Sequence, residues 1–308
     1  MVNEIIKKFD ELKGTIGYKR IDSNHPLDIY IGFDENGKKS FAIITDGEID
    51  NVSSTKMIEV KFVKRTDERY NFSFSLIDSS MSDLFYIFCN DLISSSQNLK
   101  SISPLKFVIE RWKSWLNLFQ SPHSLILNEN EIRGLLGELV FLKNIMFIKY
   151  GIEKSIASWI GVNKAHKDFE IDDTWYEVKT ISQNAITVKI SSIEQLDSNI
   201  DGTLVVVKLE PTNYSVNDHL QLNKLINSIY ELIDDEILKN EFTNKLITVG
   251  YYYAEEYDKY IYSNKGIEYY LVDEKFPRLK KEELKDGIVR VSHELYLNNL
   301  KDFRVVGD

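Results

Sequence analysis

The sequence has few of the residues that build disulfides and soft-metal sites. Its 308 residues include one cysteine, Cys89, five histidines and five prolines. A single cysteine excludes an internal disulfide and a zinc site built on several thiolates. No His-Glu-x-x-His motif occurs, so a histidine-rich metal site is not expected. With 43% hydrophobic and 28% charged residues, the composition is that of a folded globular protein.

Long apolar runs are also missing. No stretch approaches the roughly 18 apolar residues of a membrane-spanning helix, and the first residues lack the apolar core of a signal peptide. We therefore expect a cytoplasmic protein that does not contact a membrane. Neither G-x-G-x-x-G after a strand nor G-x-x-x-x-G-K-[S/T] occurs, which gives little support to a small-molecule-binding protein.

The acidic excess is unevenly distributed. A net charge of −10 argues against a broad phosphate-binding surface. Residues 231–308 hold 17 acidic and 12 basic side chains, whereas the rest of the chain is nearly balanced and can still present a local basic face. Such a DNA-facing patch can be formed by Lys61, Lys64, Arg65 and Arg69, or these residues can form an ordinary solvated strand face.

The hydrophobic pattern predicts three regions in a protein of the α/β (α+β) class. Residues 1–125 form a β/α region with a helix at 2–13, strands at 28–33, 40–45, 56–63 and 70–76, and helices at 81–98 and 104–119. Residues 126–245 form an α/β core with a helix at 129–150, capped by Asn128 or Asn130. Strand-like pieces follow at 168–171, 175–180 and 185–190, then a short helix at 192–197, a buried strand at 202–209 and a helix at 217–239. Residues 246–308 form a β-rich extension whose eight tyrosines at 251–270 are either half-exposed strand residues or a base-stacking platform.

One group of residues in the predicted core can carry chemistry. Asp168 is followed nine residues later by Glu177-Val178-Lys179. If these residues lie on the two strands of a hairpin, Glu177 and Lys179 project from the same face. Two carboxylates with a backbone carbonyl suit Mg²⁺, and a lysine nearby can orient or deprotonate a water molecule. The alternative is a surface hairpin with a cross-strand ion pair.

The spacing alone is not specific, because Asp50 is followed by Glu59-Val60-Lys61 in the same pattern. Only Asp168 has an acid in an apolar helix upstream, Glu138, and a buried carboxylate needs a partner. That partner is either a metal cluster or a base such as Arg133 or Lys143. Gly134 and Gly137 each cost a helix interior up to about 1 kcal/mol, which predicts close packing against a neighbour.

Five motifs occur in an informative order. They are G-x-x-G-E-L at 134–139, W-x-G at 159–161, K-D-F at 167–169, Y-E-V-K-T at 176–180 and I-S-S-x-E-Q-L at 190–196. This order resembles the PD-(D/E)xK nuclease superfamily, and more narrowly the bacterial "PD-(D/E)XK motif proteins" of restriction and phage-defence islands. Phe276-Pro277-Arg278-Leu279 is similar to that family too, without evident chemistry. The proline of the superfamily name is Lys167 here, a lysine that can instead meet a phosphate.

The resemblance implies a restriction-endonuclease-like fold, a mixed β-sheet core flanked by helices. The predicted metal ligands for Mg²⁺, which Mn²⁺ can replace, are Asp168, Glu177, the backbone of Val178, and Glu138. Lys179 would serve the attacking water, while Gln195 would support the site or contact DNA.

The function implied is that of a Mg²⁺-dependent endonuclease for double-stranded DNA, in a restriction or phage-defence system. Cutting both strands is simplest for a homodimer with C₂ symmetry. A methyltransferase or an ATPase is a further candidate partner, and residues 1–125 would recognise DNA or a partner, or build the dimer. The alternatives are a repair or recombination nuclease and a non-catalytic nuclease-fold scaffold.

Overall fold

The computed structural model describes residues 2–47, 52–97, 103–120, 126–163 and 166–306. The chain divides into two compact units, residues 1–125 and 126–308. Both helices and sheets are present, so the predicted mixed α/β class is confirmed. The division into three regions, and the role of each region, remain predictions.

The described residues of the first unit form an antiparallel sheet and three α-helices. In chain order its elements are α1 (Val2–Glu11), β1 (Gly17–Arg20), β2 (Asp28–Phe33), β3 (Lys39–Thr45), β4 (Ile58–Lys64), β5 (Tyr70–Leu76), a 3₁₀ turn (Ser79–Met81), α2 (Ser82–Ser95) and α3 (Pro104–Gln120). The strand order is β1-β2-β3-β5-β4, and all neighbours are antiparallel. The short edge strand β1 was not predicted because its residues are mostly exposed and show no apolar alternation.

An aromatic core holds this unit together. The rings of the sheet pack against those of α2 and α3. The buried members are Phe41, Phe72, Phe74, Phe85, Phe88, Trp112, Trp115 and Phe119. Aromatic side chains bury large areas, so this cluster supplies much of the unit's apolar burial.

The second unit is built around a mixed sheet. Its first elements are α4 (Glu129–Phe141), a π-helical turn (Leu142–Met146), α5 (Phe147–Tyr150), α6 (Ile152–Ser158), a 3₁₀ turn (Gly161–Asn163), β6 (Phe169–Ile171), β7 (Thr174–Ile181), β8 (Thr187–Ile190), a 3₁₀ turn (Ile193–Gln195) and β9 (Gly202–Pro211). Then follow α7 (Leu222–Tyr230), α8 (Glu236–Thr248), a 3₁₀ turn (Glu255–Lys259), β10 (Tyr262–Val272), a 3₁₀ turn (Lys281–Glu283), β11 (His293–Tyr296), a 3₁₀ segment (Leu297–Phe303) and β12 (Arg304–Val305).

The main sheet has the order β12-β10-β9-β7-β6, and β11 pairs with β8 in a separate two-stranded sheet. Among the strand pairs that the structure describes in this unit, only β7/β9 is parallel. As predicted, the apolar strand β9 lies at the centre, with Leu204 through Val207 fully buried, because both faces of a central strand are covered.

The predicted helix at 129–150 is present as α4, the π-helical turn and α5. Asn128 caps it in a capping box with Glu131, and Gly151, with φ of 81°, ends it. Left-handed φ values of this kind favour glycine. This helix carries Glu138 towards the sheet.

The bounds predicted for one helix and one strand of this unit were wrong. The helix at 217–239 is two helices, because Asp235 starts α8 by accepting the N–H of Leu238. The strand expected at 246–272 starts only at Tyr262, after the end of α8 and a 3₁₀ turn. Several of its tyrosines are core residues, which speaks against a stacking platform; the buried ones are Tyr251, Tyr252, Tyr257, Tyr262 and Tyr270.

Candidate metal centre

The hairpin β6–β7 brings the predicted acids together. The strands are paired in register from Ile171 opposite Thr174 to Phe169 opposite Tyr176. Asp168 immediately precedes Phe169 and Glu177 immediately follows Tyr176, so the two acids come next in the same register. An Asp168 carboxylate oxygen, Oδ2, accepts the backbone N–H of Val178 at 2.7 Å, which fixes Asp168 beside β7.

Glu177 and Lys179 project from the same face of β7, as the period of two requires. Lys179 Nζ lies 2.7 Å from Glu177 Oε1, and the two side chains are 17% and 1% exposed. This contact is an ion pair, and within the described residues neither Glu177 oxygen has a hydrogen-bond partner. Lys179 offsets part of the charge of this buried carboxylate, but two buried oxygens without hydrogen bonds are costly, so a second cation would stabilise Glu177 further.

Glu138 of α4 is held by an indole. Trp159 Nε1 donates to Glu138 Oε2 at 2.8 Å. Of the two bases predicted as alternative partners, Arg133 and Lys143, the latter donates a hydrogen bond to Ser228. Trp159 is fully buried, as expected of a core residue. Its additional bond to Glu138 could have been suspected only from the W-x-G motif.

Burial gives these acids unusual proton affinities. Burial, followed by the negative charge of Asp168, raises the pKa of Glu177 to about 8, and Lys179 opposes this rise. Burial and then Asp168 also raise the pKa of Glu138 well above its usual range. Burial raises the pKa of Asp168 too, against the opposing effect of Lys179. Three mutually repelling carboxyl groups therefore surround one lysine, which is an environment that attracts cations.

Two motif glycines allow the close approaches that bring these groups together. A Cβ on Gly137 would lie 1.9 Å from Thr180 Oγ1, so α4 contacts β7 only because the residue is glycine. A Cβ on Gly161 would lie 2.7 Å from Asp168 Oδ1, and the N–H groups of Ile160 and Gly161 both donate to the Asp168 carbonyl. The close packing predicted at Gly134 was wrong, because nothing lies within 4 Å of its Cβ position.

The donor set fits a hard divalent cation in chemistry and charge. Carboxylate and carbonyl oxygens are what Mg²⁺ prefers, and the unpartnered oxygens of Glu177 are available ligands. Within the described ranges, no three acidic, histidine or cysteine side chains are already arranged as a metal-binding group. Glu177 contacts Lys179, whereas Asp168 and Glu138 accept N–H donors.

Lys167 does not have the environment of a phosphate-binding residue. Its side chain is 4% exposed, and its ammonium donates to the carbonyls of Glu194 and Asp197 and lies 4.1 Å from the Trp175 ring centroid. Burial lowers its pKa to about 8. The prediction that Lys167 meets a phosphate was therefore wrong. Gln195 lies in the same turn, where its Oε1 accepts the N–H of Ser191 at 2.7 Å.

The second E-V-K sequence lies in a different environment. Glu59 and Lys61 lie on the edge strand β4, 33% and 39% exposed, with 3.6 Å between Lys61 Nζ and Glu59 Oε1. Asp50 lies outside the described residues. An exposed ion pair of this kind contributes little, so Glu59 and Lys61 are matched controls for Glu177 and Lys179.

The basic residues proposed as a patch in the first unit are all paired with acids. Lys61 contacts Glu35 and Glu59, and the other three cations are paired as well. Those pairs are Lys64 with Glu68, Arg65 with Asp67, and Arg69 with Asp28 and Asp46. This arrangement favours a solvated strand face over a DNA-facing patch.

A hairpin that places Asp168 beside Glu177 and Lys179, with a helix glutamate nearby, is the arrangement expected of the PD-(D/E)xK class. A family model with the description "Putative PD-(D/E)XK family member, (DUF4420)" matches residues 5–298. The chain therefore belongs to this family, and its fold is nuclease-like. PD-(D/E)xK proteins are generally nucleases that use divalent metals. No curated protein and no solved structure matches the chain. No helix in the parts that the structure describes is long and apolar enough to cross a lipid bilayer.

Proposed function

We propose that this protein is a Mg²⁺-dependent endonuclease that hydrolyses phosphodiester bonds of double-stranded DNA. The observation that carries the proposal is the state of Glu177, a buried carboxylate beside Asp168 and Lys179 whose two oxygens accept no hydrogen bond from the described residues. A purely structural hairpin gains little from a buried carboxylate without hydrogen bonds, whereas a metal site needs carboxylate lone pairs that no hydrogen bond occupies.

Asp168, Glu177, the Val178 carbonyl and Glu138 would hold the cation, and Mn²⁺ can substitute for Mg²⁺. When bound, the cation supplies a water of lowered pKa and positive charge against the phosphate oxygens. The Lys179 ammonium contacts Glu177 and is partly exposed, so it can reach a water or a phosphate at the surface of the site. There it can hold the attacking water and stabilise negative charge in the transition state. Gln195 supports the site or contacts DNA.

The biological setting rests on family resemblance. We propose that the enzyme works in a restriction or phage-defence system in the cytoplasm, as a homodimer that cuts both strands. The first unit would recognise DNA or a partner such as a methyltransferase or an ATPase, or would build the dimer. A non-catalytic scaffold is favoured by one observation, the absence of a ready-made metal arrangement among the described acids.

The proposal is tested by incubating supercoiled plasmid and modified and unmodified phage DNA with Mg²⁺, Mn²⁺ or EDTA. Wild type should cut only with a metal ion. Because a positioned proton-transfer group contributes about 10²- to 10⁴-fold, Lys179→Ala should lose at least about 10²-fold in rate. The control Lys61→Ala should cut like wild type. Equal cleavage by wild type and Lys179→Ala would overturn the site assignment, and an inert wild type that binds no metal would favour the scaffold.

A further inference from the structure

The second unit has exposed cations that differ from Lys64 and Arg65 of the first unit, because they have no ion-pair partner among the described residues. Lys281, Lys285 and Arg290 are exposed, and within the described chain none of them has a carboxylate at ion-pair distance. In contrast, Lys64 and Arg65 of the first unit each contact an acid. A cation without an ion-pair partner in the protein can bind an anionic ligand directly, because no carboxylate must first be displaced.

These cations lie against the turn that contains Gln195. An open cleft of about 240 Å³ is lined by Lys281 and residues 284–291 on one side, and by Ile193 and Glu194 on the other. Lys281 N–H donates to Asp197 Oδ2 at 3.1 Å, which attaches the basic segment to the same turn.

The turn is linked directly to the candidate metal centre. Lys167, the residue before Asp168, donates its ammonium to the carbonyls of Glu194 and Asp197. The cleft lining is therefore connected to Asp168 through the side chain of Lys167, the preceding residue. From the other side, Arg278 Nη1 donates to the Leu196 carbonyl at 2.8 Å, which gives the Phe276-Pro277-Arg278-Leu279 motif a structural role.

The cleft lining carries a small positive excess. It has three cations against two acids, Glu194 and Asp286, whereas Asp197, Glu282 and Glu283 of the adjoining segments do not line it. Lys167 and Arg278 also lie against the turn at residues 193–197. Both donate hydrogen bonds to its backbone carbonyls, which are uncharged, so they add positive charge there.

We propose that Lys281, Lys285 and Arg290 bind the phosphate backbone of duplex DNA beside the scissile bond. We call these three residues the basic loop. This inference rests on the proposed function, and it places the substrate contact in the most acidic quarter of the sequence. Backbone contacts of this type fix the position of the duplex without reading its sequence.

The test is DNA binding without cleavage. Anisotropy of a labelled duplex is measured in EDTA over a range of salt concentrations for wild type, Lys285→Ala/Arg290→Ala and Lys64→Ala/Arg65→Ala. The binding constant K falls with salt, and each lost phosphate contact makes the negative slope of log K against log salt shallower by about 0.9. Two lost contacts therefore weaken binding about 60-fold at 0.1 M salt. The control with two paired cations removed should keep the wild-type affinity and slope.

The outcomes separate this inference from the proposed function. Binding by wild type that the basic-loop variant loses supports the inference even if no DNA is cut, in which case the proposed function alone fails. Cleavage by wild type with unchanged affinity and slope in the basic-loop variant overturns the inference alone. Equal losses in both double variants, or no DNA binding by wild type, also overturn it. All four substituted side chains are exposed, so loss of folding does not obscure the result.

Discussion

Gly137→Ala should destabilise the second unit by forcing α4 away from β7. The new Cβ would lie 1.9 Å from Thr180 Oγ1 and 3.2 Å from Thr180 Cβ. Overpacking typically costs about 1–3 kcal/mol, and this overlap puts it near 3 kcal/mol. Alanine returns about 1 kcal/mol of helix propensity relative to glycine. The free energy of unfolding should therefore fall by about 2 kcal/mol.

A second substitution tests this cause. Thr180→Ala removes the overlapping hydroxyl, which has no hydrogen-bond partner, so the single change should cost only about 1 kcal/mol of packing. In the double variant, most of the Gly137→Ala penalty should disappear. Thr180→Val keeps the branched side chain and should rescue nothing. Urea unfolding of all variants gives the coupling energy. Additive effects of Gly137→Ala and Thr180→Ala would refute the steric explanation.

Three further changes probe the surroundings of the site. Trp159→Phe removes the indole N–H that donates to Glu138, a hydrogen bond worth about 1.5 kcal/mol. Calorimetry should therefore show about tenfold weaker divalent-metal binding. Unchanged metal affinity would contradict a role of Trp159 in positioning Glu138. Lys245→Met removes the ammonium that donates to three backbone carbonyls at the end of α6. The free energy of unfolding should therefore fall by about 3 kcal/mol. Glu241→Gln, which removes only the lysine's ion-pair partner, should cost under about 1 kcal/mol, and equal losses in thermal melts would refute this difference. Because burial raises the pKa of Glu177 to about 8, a cation must displace a proton below that pH. Metal affinity by calorimetry should therefore fall up to about tenfold per pH unit from pH 8 towards pH 6 and level off above pH 8, and a flat profile would count against Glu177 as a ligand.

The sequence was most informative where structure depends on local pattern. The hairpin that joins Asp168 to Glu177 follows from strand period and from turn residues, and Asp172 adopts the positive φ, 49°, of a tight turn. The cap at Asn128 and the buried strand β9 were predicted for the same reason, since adjacent residues determine them.

Contacts between distant segments could not be predicted. Lys167 can be buried only because the carbonyls of Glu194 and Asp197 accept its protons, and nothing near Lys167 in the sequence indicates this. Lys245 likewise donates to the carbonyl of Trp159, 86 residues away. Lysine is usually exposed, so the sequence alone favours the opposite environment for both.

The repeated E-V-K sequence shows the same limit. Spacing gives both copies a glutamate and a lysine on one strand face, and both form an ion pair in the structure. The two copies differ in burial. The buried oxygens of Glu177 accept no hydrogen bond from the described residues, whereas Glu59 is 33% exposed and can be hydrated. Glu177 is buried because α4 packs against β7, whereas Glu59 lies on the edge strand β4.

The most direct test of the central claim is Mg²⁺ and Mn²⁺ calorimetry without DNA, on wild type, Glu177→Gln and the matched variant Glu59→Gln. If the buried acids form a metal centre, wild type and Glu59→Gln bind the cation alike, and Glu177→Gln binds at least about tenfold more weakly, a loss of about 1.4 kcal/mol. Equal binding by wild type and Glu177→Gln, or no binding by wild type, would contradict the account.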